Sequence, residues 1–561
     1  MEHSIIRVEN LSVCYHADKR GSRAVNNVSF CLDRGGSLGI IGESGSGKTS
    51  LAMAMMGLFK KPTRVDGQVY YENTDLNRLS ERERNLYRWA KMAIVFQNSL
   101  DVLNPVLTVD EQILECLRRH TPLPPREADK KVLRLLKLVG LEAKWSQYYP
   151  HQLSGGMRQR VLIAMALSCD PEVLIVDEPT TALDAAAKDE MIKLLARLHK
   201  EKKFALIVIS HEMQVITRLA GRVMVMYGGY MAEAGLTKDV LKNPMHTYTR
   251  GLIHASPSAN PYRDLWGIPG EEAGNSSEGC PFYNRCNQKV SDCKTKLPRL
   301  AYVGIERRVA CNRGGIVTLL TGENIYKSFS FRGKTVKVCD NCRMAIRSGE
   351  IVVLIGASGS GKTTLASILA GTLAADRGEV LFEGEKVKGN RAACRKNGIQ
   401  MVFQDPFTAV NEHLTVRQAV AEPLDILKQG TKEDRIQQVK QALKDVQLPG
   451  DDGFISRKCH SLSGGQRQRV ALARSLVMEP KLLIADEISS MLDPSTQANI
   501  LRLLKGLQNA KGFAMLYITH DLALARKIAD RVYVMQQGSL IEHGSVPDVL
   551  SKQGDGVAAL H

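Results

Sequence analysis

The chain of 561 residues has no apolar run near the roughly 18 residues that cross a bilayer. Its longest apolar stretches, such as "VLIAMALSC", are short and lie between polar ones. The opening "MEHSIIRVEN" carries an acid at Glu2 and no apolar centre, so it does not read as a secretory signal. A soluble chain in a reducing compartment is therefore expected, where its twelve cysteines serve as metal ligands or buried thiols and not as disulfides. Acidic residues are in deficit: 59 against 76 basic ones, a net charge of +17. That excess fits a nucleic acid, a phosphate ligand or an inner membrane face as well as it fits a solvated basic surface. Basic stretches interleaved with aromatics, of the kind that bind single strands, are missing. What remains is ordinary globular composition, 44% apolar and 24% charged, which excludes disorder and fibre. The length predicts three or four domains at roughly 100–200 residues each.

Repetition, by contrast, is plentiful. "GESGSGKTS" at 42–50 returns as "GASGSGKTT" at 356–364, and "IVFQ" ending at Gln97 returns as "MVFQ" ending at Gln404. "LSGGMRQRV" at 153–161 returns as "LSGGQRQRV" at 462–470; "LIVDE" returns as "LIADE", and "ISHE" as "ITHD". Ser154 to Asp177 is 23 positions, as is Ser463 to Asp486; Asp177 to His211 is 34, as is Asp486 to His520. Lysine to glutamine differs, 49 positions from Lys48 and 42 from Lys362, so insertions are tolerated between those motifs but absent after the signature serines. A repeat near 300 residues is far too long for a solenoid and marks a duplicated domain. The expected boundaries are a first copy at 1–245, an insert at 246–316, a second copy at 317–550 and a tail at 551–561. Each copy alternates apolar runs ("GSLGIIG", "VLIVDE") with helical patterns ("KTSLAMAMMGL"), which predicts an α/β fold around a mostly parallel sheet.

The motifs define a chemistry. "GESGSGKT" is a Gly-x-x-x-x-Gly-Lys-Thr loop between a strand and a helix. Gly42, Gly45 and Gly47, with Ser44, Ser46 and Ser50, let backbone N–H groups and hydroxyls face phosphate oxygens. Lys48 adds charge at the β- and γ-phosphates of ATP, and the Thr49 hydroxyl reaches Mg²⁺. Gly356, Ser358, Gly359, Ser360, Gly361, Lys362, Thr363 and Thr364 repeat the set. Chance explains one such match poorly and two hardly at all. Asp177 and Asp486 end apolar strands, where ligands of parallel sheets gather, and are expected to hold Mg²⁺ through water. Glu178 and Glu487 follow, placed to polarise an attacking water; the alternative is a pair of helix-capping acids. Gln97 and Gln404 end strands where an amide can contact Mg²⁺ or that water, although such a glutamine is usually a loop residue. His211 and His520 would ordinarily be structural, but their identical offset from the acids points to a γ-phosphate contact. Ser154, Gly155 and Gly156, and likewise Ser463, Gly464 and Gly465, open helices as a second anion site. An ordinary serine cap is the alternative.

At these residues the chain resembles two ATP-binding-cassette (ABC) ATPase domains joined in one polypeptide, and the resemblance covers nearly all of it. It implies two P-loop cassettes, each with a mostly parallel sheet core and a helical subdomain, that hydrolyse ATP. It further implies an intramolecular cassette dimer, with the loop at Lys48 served by the signature at Ser463 and the loop at Lys362 by that at Ser154. Fusion makes that closure intramolecular, at an effective concentration of about millimolar. Tyr15 and Phe329 match the adenine-stacking position, although an aromatic there could equally be core. Asp184 and Asp493 match a loop that crosses the dimer interface. Met157 replaces the signature glutamine and Ile488 the proline after Glu487; neither removes a catalytic group.

The insert, through "HTYTRGLIHASP" at 246–257, "IPG" at 268–270 and its four cysteines, resembles the C-terminal extension of oligopeptide and dipeptide importer ATPases. The whole resembles a D-type subunit fused to an F-type one. Implied partners are two transmembrane permease subunits, contacted after Gln97 and Gln404, and an extracytoplasmic solute-binding protein, with no nucleic acid. The implied location is peripheral, at the cytoplasmic face of the cell membrane. Nickel and metal–opine importers use close relatives. A twin-cassette ribosome factor is the rival class, but such factors carry a cluster domain before the first cassette, and a DNA-repair cassette would need large internal insertions.

Between Gly279 and Cys311 the insert reads as neither helix nor strand. Cys280, Cys286, Cys293 and Cys311 are separated by five, six and seventeen residues, without a Cys-x-x-Cys pair. Four thiolates suit [4Fe–4S] or zinc, and the spacing leaves both open. The resemblance favours an iron–sulfur cluster with a structural role, folding a segment of thin core. Cys339 and Cys342 form a lone Cys-x-x-Cys in the second copy's early strands and are set aside.

Overall fold

The computed structural model describes residues 4–15, 22–59, 62–97, 102–257, 266–270, 278–331, 334–387, 398–403, 410–488 and 493–550. Two compact units result. One holds 1–259, 270–285 and 290–315; the other holds 260–269, 286–289 and 316–561. The expected insert therefore contributes to both units, and the expected tail lies outside the described residues.

In the first unit an antiparallel sheet runs in the order Ser22–Asp33, Ser4–Tyr15, Arg64–Tyr71, Thr74–Asp75. The main sheet has eight strands, in the order Leu300–Tyr302, Arg308–Ala310, Tyr230–Leu236, Arg222–Tyr227, Ser37–Ile41, Ala205–Ile209, Val173–Asp177, Met92–Val95. The last five are mutually parallel. In the second unit the antiparallel sheet is Lys334–Arg347, Thr318–Phe331, Arg377–Phe382, Glu385–Lys386. The main sheet is Ile399–Val402, Leu482–Asp486, Ala514–Thr519, Ile351–Ile355, Arg531–Gln536, Ser539–Ser545, with its first five strands parallel.

The parallel strands read as unbroken apolar runs because both faces are covered. Val352, Leu354, Leu482 and Ile484 pack with Leu320, Ile325 and Phe382 of the antiparallel sheet. Ile351, Val353, Leu483 and Ala485 pack on the other face with Val416, Val420, Leu443 and Val470 of the helices. Successive side chains alternate faces, so a strand apolar at every position needs two separate cores. The helical subdomain of the first unit comprises Val109–His120, Pro125–Leu138 and Gly155–Ala166. Thr108 begins it, its N–H donating to the Glu111 carboxylate at 2.7 Å, the reciprocal half of a capping box. Val416–Ile426, Lys432–Asp445 and Gly464–Leu476 are the counterparts, and Thr415 N–H donates to Gln418 at 2.9 Å.

The cysteine-bearing stretch differs from its irregular reading. It has 3-10 turns at Tyr283–Arg285 and Ser291–Lys294, and strands Leu300–Tyr302 and Arg308–Ala310 that extend the first unit's main sheet. Arg308 and Val309 pair with Ala234 and Glu233. Three-residue strands leave too short an alternation to read in sequence; the edge of Tyr230–Leu236 supplies their order. Among the described residues no helix is long and apolar enough to cross a membrane.

Candidate functional site

Register places the motif residues at the carboxyl ends of the central strands of each main sheet. Ile40 pairs with Ile209, and Ile209 with Asp177, so the loop after Ile41, the acids and His211 share the carboxyl ends of adjacent strands. Asp486 pairs with Ile518 in the same way. Helix Lys48–Met55 follows the first loop and Lys362–Leu369 the second, with Gly47 and Gly361 at their N-termini at φ 98° and 105°. A Cβ on Gly47 would lie 2.0 Å from the Ala24 carbonyl, and one on Gly361 2.3 Å from that of Val338. Only glycine fits, in conformation and in space. Lys48, buried at 8% exposure, donates to the Gly42 and Glu43 carbonyls at 2.9 and 2.8 Å. Lys362 donates to those of Gly356 and Ala357 at 2.9 Å each. Ser44, Gly45, Ser358 and Gly359 are exposed at the loop tips; Ser46 and Ser360 are buried.

Behind each loop sits a buried carboxylate. Thr49 Oγ1 donates to Asp177 Oδ2 at 2.7 Å, and Thr363 makes the corresponding bond to Asp486. Burial pushes both acids above the usual carboxylate range, the threonine bonds oppose it, and the neighbouring Glu178 and Glu487 add to it. In both, Oδ1 is buried and has no hydrogen-bond partner. A desolvated carboxylate with one unsatisfied oxygen beside a hydroxyl fits Mg²⁺, directly or through its water, and the cation would offset the desolvation.

Glu178 and Glu487 adopt left-handed backbone conformations, φ 51° and 45°. Such conformations cost non-glycine residues about 1–3 kcal/mol and persist only where the surroundings impose them. The Glu178 N–H donates to Ile209 O at 2.9 Å and that of Glu487 to Ile518 O at 3.1 Å. The turn swings each carboxylate off the strand line. Glu178 Oε1 lies 2.8 Å from His211 Nδ1 and accepts the His211 backbone N–H at 3.1 Å. Glu487 Oε1 lies 3.7 Å from His520 Nδ1 and 3.6 Å from Lys362 Nζ. The acids are therefore not helix caps: Asp184 and Asp493 cap the following helices, accepting from Ala187 N at 2.9 Å and Thr496 N at 3.0 Å.

Ser154 and Ser463 are N-caps of Gly155–Ala166 and Gly464–Leu476, each accepting an N–H three residues on at 3.3 Å. Gln466 returns a bond, accepting the Ser463 N–H at 3.1 Å; Met157 has no acceptor with which to do so. A Cβ on Gly155 or Gly156 would meet nothing closer than 3.7 Å, on Gly465 nothing closer than 3.6 Å, and on Gly464 nothing within 4 Å. None of these four glycines has a positive φ. Their own unit gives no reason for glycine, which costs a helix about 0.5–1 kcal/mol relative to alanine.

Tyr15 bonds its hydroxyl to Ser50 at 2.9 Å and packs edge-on against Phe59, at the flank of the phosphate-loop helix. Phe329 is 45% exposed on its strand, with Lys327 Nζ 5.5 Å above the ring. Gln97 is exposed just beyond Met92–Val95, and Thr364 is half-buried in its helix. Gln404 lies outside the described residues.

The four insert cysteines gain no support as a cluster. Cys280 N–H donates to Cys293 O at 2.8 Å, joining two segments through the backbone, while Cys311 Sγ contacts Gly315 O at 3.8 Å. Among the described residues no group of three or more His, Cys, Asp or Glu is placed to hold a metal ion. Cys339 and Cys342 are buried in the strand Lys334–Arg347, and Cys342 donates to Gly538 O at 3.1 Å. One contact escaped the sequence reading. Arg285 of the insert grips Glu43 of the first phosphate loop with two bonds, 2.7 and 3.0 Å. Its sequence signal was the one difference between the two loop motifs before Thr49 and Thr363: Glu43 against Ala357.

A duplicated phosphate loop, an orphaned carboxylate beside its threonine and a serine-capped glycine helix define a twin P-loop nucleoside triphosphatase of the cassette type. The comparisons agree. Residues 25–181 and 339–490 match the ABC transporter family model, and 232–293 match the oligopeptide/dipeptide transporter C-terminal region. The chain belongs to the ABC transporter family. It is 34% identical over 577 residues to the glutathione import ATP-binding protein GsiA of Pectobacterium atrosepticum, covering 98% of this chain and 88% of that one. Proteins of the same name from Shigella dysenteriae and Escherichia coli K12 are 36% and 35% identical, each covering 96% of this chain and 86% of theirs.

Proposed function

We infer that this chain is the ATP-hydrolysing, energy-coupling subunit of an ABC importer for peptides. The observation that carries the chemistry is the pair of buried, half-satisfied carboxylates, one at each phosphate-loop threonine. The import reading rests on the extension match and on near full-length similarity to glutathione import ATPases.

Each phosphate loop cradles the ATP phosphates, with Lys48 or Lys362 moving from the loop carbonyls to the β- and γ-phosphates. Bound Mg²⁺, held at Thr49 and Asp177 or at Thr363 and Asp486, would neutralise charge across the β- and γ-oxygens. Glu178 and Glu487 orient the water and take its proton as it attacks the γ-phosphorus. The bond to the ADP oxygen breaks, leaving ADP and phosphate. His211 holds the Glu178 carboxylate and lies beside the γ-phosphate position; His520 takes the corresponding place, 3.7 Å from the Glu487 carboxylate. Gln97 and Gln404 report the metal site to the partner. The open glycines at 155, 156, 464 and 465 admit phosphate oxygens to the serine-capped helix ends, where N–H groups and the helix dipole favour anions. Tyr15 and Phe329 flank the base.

Partners are membrane-embedded permease subunits and a solute-binding protein, so the chain works peripherally on the cytoplasmic face of the membrane. Phosphate release with and without permeases is the test. Mg²⁺-dependent turnover that the permeases stimulate is expected, and chelation by EDTA that leaves turnover intact overturns the mechanism. Titrating the partner binding protein with glutathione, longer peptides and chelated nickel separates a peptide cargo from a metal chelate. The iron–sulfur reading of Cys280, Cys286, Cys293 and Cys311 rests on the resemblance alone. Anaerobic purification yielding about four irons and four sulfides per chain supports it; one zinc without sulfide, or no metal, removes it.

A further inference from the structure

Glu43 is pinned by all three of its polar groups. Its carbonyl accepts Lys48 Nζ at 2.8 Å. Its backbone N–H donates to the Tyr248 hydroxyl at 2.8 Å. Its carboxylate accepts both Arg285 terminal nitrogens, at 2.7 and 3.0 Å. Tyr248 and Arg285 belong to the segment that follows the first cassette, and both are buried: Tyr248 is 0% exposed and the Arg285 side chain 4%. The guanidinium also sits 5.7 Å from the Tyr227 ring and 6.0 Å from that of Phe282. Tyr227, Tyr248 and Phe282 pack together with centroids 4.6–5.5 Å apart. The arginine is thereby fixed in direction before it meets the loop.

A bidentate guanidinium–carboxylate pair fixes geometry as well as charge. Here it fixes the residue whose carbonyl holds the phosphate-binding lysine. The second cassette has Ala357 at this position: the carbonyl bond to Lys362 remains, at 2.9 Å, and the carboxylate does not exist. We propose that Arg285, with Tyr248, is a positioning residue for the first cassette's nucleotide site, so that the extension sets the phosphate-loop geometry at Lys48 while the Lys362 site is free of that control. The proposal rests on the reading of Lys48 as a nucleotide site.

The test is photolabelling of the full chain with 8-azido-ATP and Mg²⁺, labelled peptides from 1–257 and 317–550 being quantified separately by mass spectrometry. Arg285→Met, which removes both bonds of the pair, is expected to raise the half-saturating nucleotide concentration at the first cassette about tenfold and to leave the second cassette unchanged. Arg285→Lys should recover part of the loss. Glu43→Gln combined with Arg285→Met should be no worse than Arg285→Met alone, because both cut the same link. Glu43→Gln, which keeps both backbone bonds, carries the same test if Arg285→Met does not fold. Unchanged labelling at both cassettes, or an equal loss at both, overturns the proposal. Failure of the wild-type first cassette to label would instead remove the nucleotide reading on which it rests.

Discussion

The two cassettes use the same parts in unequal surroundings. Both bury a lysine under the loop carbonyls, both leave one aspartate oxygen orphaned, and both force a glutamate into the left-handed region. Yet among the described residues the first main sheet has eight strands and the second six, and the two extra strands come from the extension. The first phosphate loop is held from outside by Arg285 and Tyr248, and Glu178 of that cassette closes on His211 at 2.8 Å. The second loop has an alanine in place of Glu43, and Glu487 of that cassette stands between Lys362 and His520 at 3.6 and 3.7 Å. The two copies keep the same groups at the phosphate loops and differ in the supports around them. Chemistry constrains a handful of groups to fractions of an ångström, whereas a support needs only to keep them there.

The largest effect should come from removing both general bases. The double variant Glu178→Gln, Glu487→Gln should keep ATP bound while phosphate release falls about 10²–10⁴-fold; the single variants show whether the closer Glu178–His211 pair marks the more active site. Ser154→Arg and Ser463→Arg should each cut hydrolysis about a hundredfold at one site by blocking an anion-binding helix end. By the family arrangement, Ser154→Arg acts at the Lys362 nucleotide and Ser463→Arg at the Lys48 nucleotide. One nucleotide per wild-type chain in the trapped state would break the symmetry of the comparison.

Acid should separate the cassettes next. His246 is buried, its Nδ1 accepts the Tyr248 N–H at 3.1 Å, and burial pushes its pKa down to about 4, with the Ala310 backbone opposing. Nearby, Glu233 accepts the His246 N–H and pairs with Arg307. The unfolded histidine protonates near pH 6.5 and the folded one only near 4, so stability is lost as pH falls through that window, about 2 kcal/mol by pH 5. Scanning calorimetry should show the first cassette's transition falling between pH 7 and 5, and His246→Asn should flatten that dependence. The smallest effect should be Met157→Gln, which restores the returning bond that Gln466 makes to Ser463 and stabilises the first cassette by about 0.5 kcal/mol.

Much of the site was legible because its chemistry demands residue types at fixed offsets. The phosphate-loop glycines, the strand-end acids and the serine-capped helices fall where the motifs placed them. The capping alternative for Glu178 failed because Asp184, six residues on, caps the helix. Less legible was the insert. Its strands are three residues each and its turns are 3-10, so neither period develops. The expected four-thiolate centre has no support among the described residues, where no group of three or more ligands is placed to hold a metal.

The sequence by itself determined the duplication, the parallel-sheet class and the groups that gather at the phosphate loops, because glycine, lysine and carboxylate at set spacings leave few other structures. Tertiary structure alone decided which residues support those groups. Arg285 reaches Glu43 across 242 positions, and nothing local to either residue announces the pair. The bond exists because the extension adds its strands to the first sheet and packs Tyr248 and Phe282 against Tyr227 beside the guanidinium. Long-range packing of that kind depends on where whole elements end up, and no short window of sequence carries it.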